Sequence, residues 1–315
     1  MFSRILVPLD GSQLSERALP HAVRMAQIFN ARLMLLQVLE AEHTDGLIDP
    51  LSWQIRKAES DLYLRDQVRL LAEREIDVTY QILEGRTPEM IVQFAQENEI
   101  DLVVISSHGR GGLSRWDISS VVAKVVEKIY LPLLLIRAYQ PLADDDAQSL
   151  YKKLLLPVDN SKRAECALQV AQAIANANQA EIVLAHVLRR PEVPQTVPET
   201  EEMNRLVEDF MALSRKASAT YLEDLHARTP TPSRMVIVES DSVTRGLHNL
   251  AEEEAADLLV ICAHGQGGPS DWPYGTIAKH YIEHGTRSLL VMQDIPPSLA
   301  KPTLVEQAAR QQGSR

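Results

Sequence analysis

The sequence predicts an α/β chain of two repeated open-sheet domains, each a mostly parallel five-stranded sheet with helices on both faces. Three observations carry this. First, the chain repeats itself. Ile5-Leu-Val-Pro-Leu-Asp-Gly-Ser12 returns as Leu154-Leu-Leu-Pro-Val-Asp-Asn-Ser161, 149 residues later, and Asp101–Ser120 returns as Asp257–Thr276, 156 residues later, with Trp116 matched by Trp272. A period near 150 is a domain duplication, not a solenoid of short units. Second, continuous apolar runs of strand length alternate with longer stretches of helical period, the pattern of strands buried on both faces. Third, Ala138–Ser149 is polar, with a Pro and three adjacent acids, Asp144 to Asp146. It reads as a linker and puts the boundary near Asp145. The expected units are therefore 1–145, 146–295 and a terminal tail, 296–315.

The elements follow in order. Arg4–Leu9 is an apolar run ending in the turn Asp10-Gly11-Ser12, hence a buried strand. Leu14, Ala18, Leu19, Ala22, Met25, Ala26 and Phe29 share one face of a helix expected over 14–29. Arg32–Leu39 is the second strand, Ser52–Arg74 a long helix and Val78–Leu83 the third strand. Pro88 sits in the first turn of a helix to Asn98, where its missing N–H costs nothing. Leu102–Ser106 is a strand, Ser119–Tyr130 a helix and Leu133–Ile136 the last strand. The second half repeats the order, with Pro230 and Pro232 before a strand at Met235–Glu239.

Composition narrows the function. The 315 residues carry 32 Lys+Arg against 43 Asp+Glu, a formal charge of −11. That balance excludes a general nucleic-acid binder, which needs a cationic face. Hydrophobic content of 45% and charged content of 24% are those of a globular protein. The longest apolar run, Ile129–Ile136, is broken by Pro132 and is too short for a membrane span of ~20 residues. The opening segment meets Asp10 too early for a signal peptide. A cytoplasmic location without membrane attachment is expected. Cys166 and Cys262 are read as two reduced, small apolar core residues. They have no zinc-site spacing.

In an open parallel sheet the ligand crevice lies beyond the carboxyl ends of the strands, where strand order reverses. Three segments of each half can meet there. They are Asp10-Gly-Ser or Asp159-Asn-Ser after strand one, Val38 or Val187 at the end of strand two, and Ser106–Gly112 or Cys262–Gly268 after strand four. The last leads to a helix start at Ser119-Ser120 or Gly275-Thr276. Helix-start N–H groups favour an anion. Gly109, Gly265 and Gly275 lack the Cβ that would keep a phosphate from the backbone. Ser120 and Thr276 add hydroxyls, and Asp10 and Asp159 can accept from ribose. Each residue also has a plainer reading: Ser or Thr at a helix start is an N-cap, and Asp before Gly-Ser is a turn residue.

Other motifs fail. Gly109-Arg-Gly-Gly-Leu-Ser114 is not a dinucleotide fingerprint. The sequence contains no P-loop and no Gly-x-Ser-x-Gly elbow. His280 and His284 lie four apart without a third ligand, so no metal is assigned. His108 and His264 recur beside the crevice and are read first as loop hydrogen-bonders.

The opening Ile5–Ser12 and Asp101-Leu-Val-Val-Ile-Ser-Ser-His-Gly-Arg-Gly-Gly-Leu-Ser-Arg115 resemble the universal stress protein family in its tandem form. The resemblance covers about residues 3–137 and 152–293. It implies a Rossmann-like fold of the adenine-nucleotide α-hydrolase kind. The family's ATP-binding branch carries Gly-x-x-Gly, nine residues, then Gly-[Ser/Thr]. The second half reads Cys262-Ala-His-Gly265, nine residues, Gly275-Thr276; the first reads Ser106-Ser-His-Gly109, nine residues, Ser119-Ser120. The resemblance implies ATP or a related adenine nucleotide, the base near Val187, the ribose near Asp159 and phosphates at Gly265, Gly275 and Thr276. The first-half set is Asp10, Val38, Gly109, Ser119 and Ser120. With more glycines kept, the second half is expected to bind more tightly.

The expected function is a stress-response regulator that binds ATP. The alternative is a nucleotide-free interaction protein of the family's other branch. No general base with an orienting group and no acidic metal pair stands out. No catalytic residue is assigned, and slow ATP hydrolysis is the most expected. The two halves are expected to pair internally through Leu133–Arg137 and Leu289–Gln293, and pairing into a homodimer is compatible with this. The sequence names no protein partner.

Overall fold

The computed structural model describes residues 1–40, 50–112, 118–139, 150–191, 200–268 and 272–295. The expected boundary at Asp145, Trp116 and the tail 296–315 lie outside them.

The first half runs β1 (Arg4–Pro8), α1 (Gln13–Glu16), α2 (Ala18–Phe29), β2 (Arg32–Leu39), α3 (Pro50–Ala72), β3 (Val78–Glu84), α4 (Thr87–Glu97), β4 (Leu102–Ser106), α5 (Ser120–Val126) and β5 (Leu133–Ile136). The second runs β6 (Lys153–Pro157), a 3-10 turn (Ala164–Ala167), α6 (Leu168–Asn178), β7 (Glu181–Arg189), α7 (Glu201–Ala227), β8 (Ser233–Ser240), α8 (Val243–Glu253), β9 (Leu258–Cys262), α9 (Thr276–His284) and β10 (Ser288–Met292). One expected helix is two. Ser12 caps the start of α1 by accepting from Ser15 N, and the chain turns at Arg17 before α2. The helix expected over 119–130 is the shorter α5.

All ten strands form one sheet in the order β3-β2-β1-β4-β5-β10-β9-β6-β7-β8. Pairing is parallel within each half and antiparallel between β5 and β10, where Leu135 faces Leu289 and Leu133 faces Val291. Alternation assigns the strand side chains to two layers. Ile5, Val7, Leu33 and Leu35 face α2 and α3, packing with Met25, Leu64 and Leu71. Leu6, Leu36, Val103 and Ile105 face the other way, toward Ile91, Val122 and Val125. Both faces are covered, which is why the strands read as unbroken apolar runs.

The duplication extends to backbone conformation. Asn30 and Gln179, equivalent residues, end α2 and α6 in the left-handed region at φ 52° and 54°. Gly11 and Asn160 follow their strand-one aspartates at φ 77° and 64°. Asn is among the few side chains that tolerate this region.

Polar contacts also join the halves. Arg137, 2% exposed, donates to the carbonyls of Tyr281 and of Ile282 (3.0 Å), at the last turn of α9. A cation there satisfies terminal carbonyls and the helix dipole. Burial lowers the Arg137 pKa to about 10, still far above neutrality. Tyr274 Oη donates to Leu131 O at 2.7 Å, and His21 Nδ1 lies 2.6 Å from Tyr151 Oη.

Candidate functional site

In each half the strand order reverses at the first strand: β1 lies between β2 and β4, and β6 between β7 and β9. A cleft opens there in each half. The first, about 510 Å³, is lined by Asp10, Val38, Thr87, Ile91, Gly109–Gly112 and Ile118–Val122 among others. The second, about 420 Å³, is lined by Asp159, Ala164, Val187, Leu247, Cys262–Gly268 and Gly275–Ala278 among others. Thus all ten residues singled out in the sequence, Asp10, Val38, Gly109, Ser119 and Ser120 in one half and Asp159, Val187, Gly265, Gly275 and Thr276 in the other, border the two clefts.

What several of them do differs from expectation. The two aspartates are engaged by the protein. Asp10 Oδ1 accepts from Ser12 N (2.9 Å) and Ser12 Oγ (2.6 Å), and Oδ2 from Arg110 N (2.7 Å). Asp159 accepts in the same way from Ser161 N (3.1 Å) and Gln266 N (2.7 Å). Each carboxylate ties the strand-one loop to the glycine loop of the fourth strand. Burial pushes the Asp10 pKa up, but the donors at Ser12, Arg110 and Ser15 outweigh it and hold the carboxyl below its ordinary value.

This explains Gly109 and Gly265. A Cβ at Gly109 would stand 2.0 Å from Asp10 Oδ2, and one at Gly265 would stand 2.0 Å from Asp159 Oδ2. These glycines admit a carboxylate of the protein itself, a constraint that the expected phosphate contact does not include. Gly275 is also constrained, since its Cβ would lie 3.0 Å from Ala263 O and 3.3 Å from His264 Cδ2. The glycines that do face open space are Gly111, Gly112, Gly267 and Gly268, with nothing within 4 Å of a built Cβ. The sequence places them at the crevice, within Ser106–Gly112 and Cys262–Gly268, without singling them out. The signal was present, because a glycine pair with the second at positive φ (89° and 71°) makes a tight exposed turn.

The helix starts also differ. Ser119 is the N-cap of α5, its Oγ accepting from Val122 N at 3.2 Å. The plainer reading therefore holds for Ser119. In α9 the N-cap is Gly275, with no side-chain bond, and Thr276 is the first helical residue. Its hydroxyl makes no cap, so the capping alternative falls for Thr276.

Behind the cleft floor, Ser107 Oγ contacts His108 Nδ1 at 2.9 Å and accepts from Ala138 N at 3.2 Å. The second half has Ala263 in place of Ser107, and Asp294 takes over: His264 Nδ1 lies 2.7 Å from Asp294 Oδ1. Asp294 also pairs with Arg163. Burial raises the Asp294 pKa, but hydrogen bonds to His264 and Arg163 more than offset this, so it lies below its ordinary value. The sequence did not show this pairing of His264 with Asp294, 30 residues apart. His264 Nε2 is buried without a hydrogen-bond partner among the described residues. Sealed from cleft solvent, the pair braces the floor.

The cysteines require a further correction. Cys166, in the 3-10 turn, and Cys262, at the end of β9, are joined by a disulfide, with Cα atoms 6.2 Å apart across 96 residues. Both are half-buried rather than core residues. They meet because β6 and β9 are neighbours, which puts the turn after β6 over the end of β9.

Among the described residues no helix is long and apolar enough to cross a membrane, and no group of three or more His, Cys, Asp or Glu could hold a metal.

Two doubly wound units sharing one sheet, each with a glycine-rich cleft at its switch point, define a tandem α/β protein with paired clefts. The sequence profile of the universal stress protein family matches residues 1–137 and 150–293, and the chain belongs to that family. A Mycobacterium tuberculosis universal stress protein, Rv2005c, is 25% identical over 294 residues, covering 90% of this chain and 94% of that protein. A Methanocaldococcus jannaschii universal stress protein is 28% identical over 141 residues, 44% of this chain and 83% of the other. Among solved structures, a functionally unknown protein of Pseudomonas aeruginosa superposes with a TM-score of 0.70 at 17% identity, covering 98% of each chain. An Archaeoglobus fulgidus universal stress protein gives 0.64 at 16% identity, covering 92% of this chain and 98% of that one. These likenesses support the fold.

Proposed function

We propose that this protein binds ATP or a related adenine nucleotide in the second-half cleft and acts as a regulatory module of the stress response in the cytoplasm. One observation carries the reading. The cleft combines an apolar wall with an open glycine turn facing the start of α9. Val187, Val243, Leu247 and Ile277 suit a purine. The N–H groups at Gly267, Gly268 and the first turn of α9 suit phosphates, with the Thr276 hydroxyl beside them. Asp159, held by Ser161 and Gln266, keeps lone pairs for a ribose hydroxyl. Gly265 and Gly275 serve by shaping this wall. The two units, 1–145 and 146–295, form an internal pseudo-two-fold pair through β5 and β10.

The first-half cleft is the weaker site. There Ser119, the N-cap that accepts from Val122 N, puts a side chain where the second half has Gly275, which favours a second reading for that half alone: a nucleotide-free surface with a structural role. Nucleotide released from the purified, heat-denatured full-length protein tests the proposal, together with calorimetric titration of ATP. One nucleotide per chain, weakened about tenfold in Thr276→Ala, is expected for loss of a hydrogen bond to a charged group. No released nucleotide and no binding heat would overturn it.

A further inference from the structure

We propose that Cys166 and Cys262 form a reversible redox site that tunes the ligand affinity of the second-half cleft, the oxidised form binding more tightly. The inference rests on the nucleotide reading of that cleft. Its starting point is the position of the disulfide. Cys262 is itself a cleft residue, and Cys166 lies two residues after another, Ala164. The bond therefore fastens the 3-10 turn to the end of β9.

The turn is connected to the binding loop. Ala164 N donates to Ser161 Oγ at 3.0 Å, and Ser161 N donates to Asp159 at 3.1 Å. Asp159 in turn accepts from Gln266 N at 2.7 Å, across the cleft on the glycine loop. The covalent link and this hydrogen-bonded path close a ring around one end of the cleft. Reduction forces the two sulfurs from bonding to van der Waals distance. The displacement falls on the turn or on Cys262, and both line or adjoin the cleft. An oxidised site is pre-organised and spends less of its binding energy on ordering.

The first half supplies an internal contrast. Arg17 and Ser106 stand where the second half has Cys166 and Cys262. The redox response is confined to one of two otherwise related clefts.

The chemistry balances with a low-molecular-weight disulfide such as glutathione disulfide. The Cys166 thiolate attacks it, forming a mixed disulfide and releasing one glutathione thiolate. The Cys262 thiolate then displaces the second, closing the Cys166–Cys262 bond. The protein gives up two electrons and glutathione disulfide is reduced. The two thiol protons pass to the released glutathione. Half-burial of both cysteines leaves the pair within reach of a small oxidant.

The test uses the full-length chain, equilibrated with glutathione disulfide or with dithiothreitol. Thiols are counted by alkylation and mass spectrometry, and ATP is titrated calorimetrically into both forms and into Cys166→Ser, which lies outside the cleft lining. The expected result is no free thiol in the oxidised form and two in the reduced. ATP affinity should fall at least threefold on reduction, and Cys166→Ser in dithiothreitol, where its lone Cys262 carries no glutathione, should match the reduced form. By reciprocity, saturating ATP must shift the glutathione midpoint toward the disulfide by that same factor in the equilibrium constant. Two free thiols in excess glutathione disulfide would overturn the proposal, as would equal ATP affinity in both forms. ATP binding to neither form, with the disulfide count as expected, would overturn the nucleotide reading and the coupling with it.

Discussion

Gly265→Ala is predicted to destabilise the fold through Asp159 rather than through any ligand. The added Cβ would stand 2.0 Å from Asp159 Oδ2. A carbon and an oxygen in ordinary contact are about 3.3 Å apart, so the carboxylate must retreat by more than about 1 Å. Gln266 N, now 2.7 Å from that carboxylate, then loses its acceptor. A hydrogen bond to a charged group is worth about 1.5–3 kcal/mol, and overpacking adds about 1–3 kcal/mol. The unfolded-state gain of replacing Gly by Ala returns only about 0.4–1 kcal/mol. The net loss is about 2–5 kcal/mol. At about 2–4 °C per kcal/mol for a domain of this size, thermal unfolding of the empty protein should shift down by roughly 5 °C or more. Gly267→Ala, whose Cβ meets nothing within 4 Å, should stay within about 0.5 kcal/mol of wild type. Removing the obstructed carboxylate with Asp159→Ala should make the Gly265→Ala cost shrink, a coupling read from the double-mutant cycle. An unchanged melting temperature in Gly265→Ala, or strict additivity in the cycle, would refute the reasoning.

Ser119→Ala removes an N-cap and should cost about 1 kcal/mol, whereas Thr276→Ala, with no cap to lose, should leave stability within about 0.5 kcal/mol and act on ATP affinity alone; urea unfolding of both variants separates them. Burial lowers the His21 pKa from 6.5 to about 4, so between those values the unfolded chain binds the extra proton and stability must fall with acidification. That loss is on the order of 2–3 kcal/mol, and urea midpoints of wild type and His21→Gln measured from pH 7 to pH 4 should converge as the wild type weakens. Arg137→Met leaves the Tyr281 and Ile282 carbonyls without their donor in a buried seam and should cost about 2–4 kcal/mol; equal denaturant midpoints would show that the arginine contributes nothing net.

Much of this architecture is written locally. The two Asp-Gly/Asn-Ser turns, the unbroken apolar strands and the repeat itself depend on neighbours in the chain, and periodicity reports them directly. Even the left-handed residue after each strand-one aspartate is legible, because Gly11 and Asn160 are among the few residue types that accept that conformation. The switch-point rule then places Val38, Val187 and the glycine loops at the two clefts. Residue roles there were decided by contacts that no period encodes. Gly265 admits Asp159 from 106 positions away, Asp294 replaces the missing Ser107-like hydroxyl beside His264, Arg137 caps a helix of the other half, and Cys166 bonds to Cys262. The first and last arise because β6 lies beside β9, bringing the loop after strand one against the end of strand four; Asp294 reaches His264 because β10 lies beside β9, and Arg137 reaches α9 across the β5–β10 seam. The sequence by itself determined the elements, their repeat and the end of the sheet where ligands can enter. Strand order alone decided which side chains meet there, since a packed sheet converts separations near 100 residues into hydrogen-bond distances.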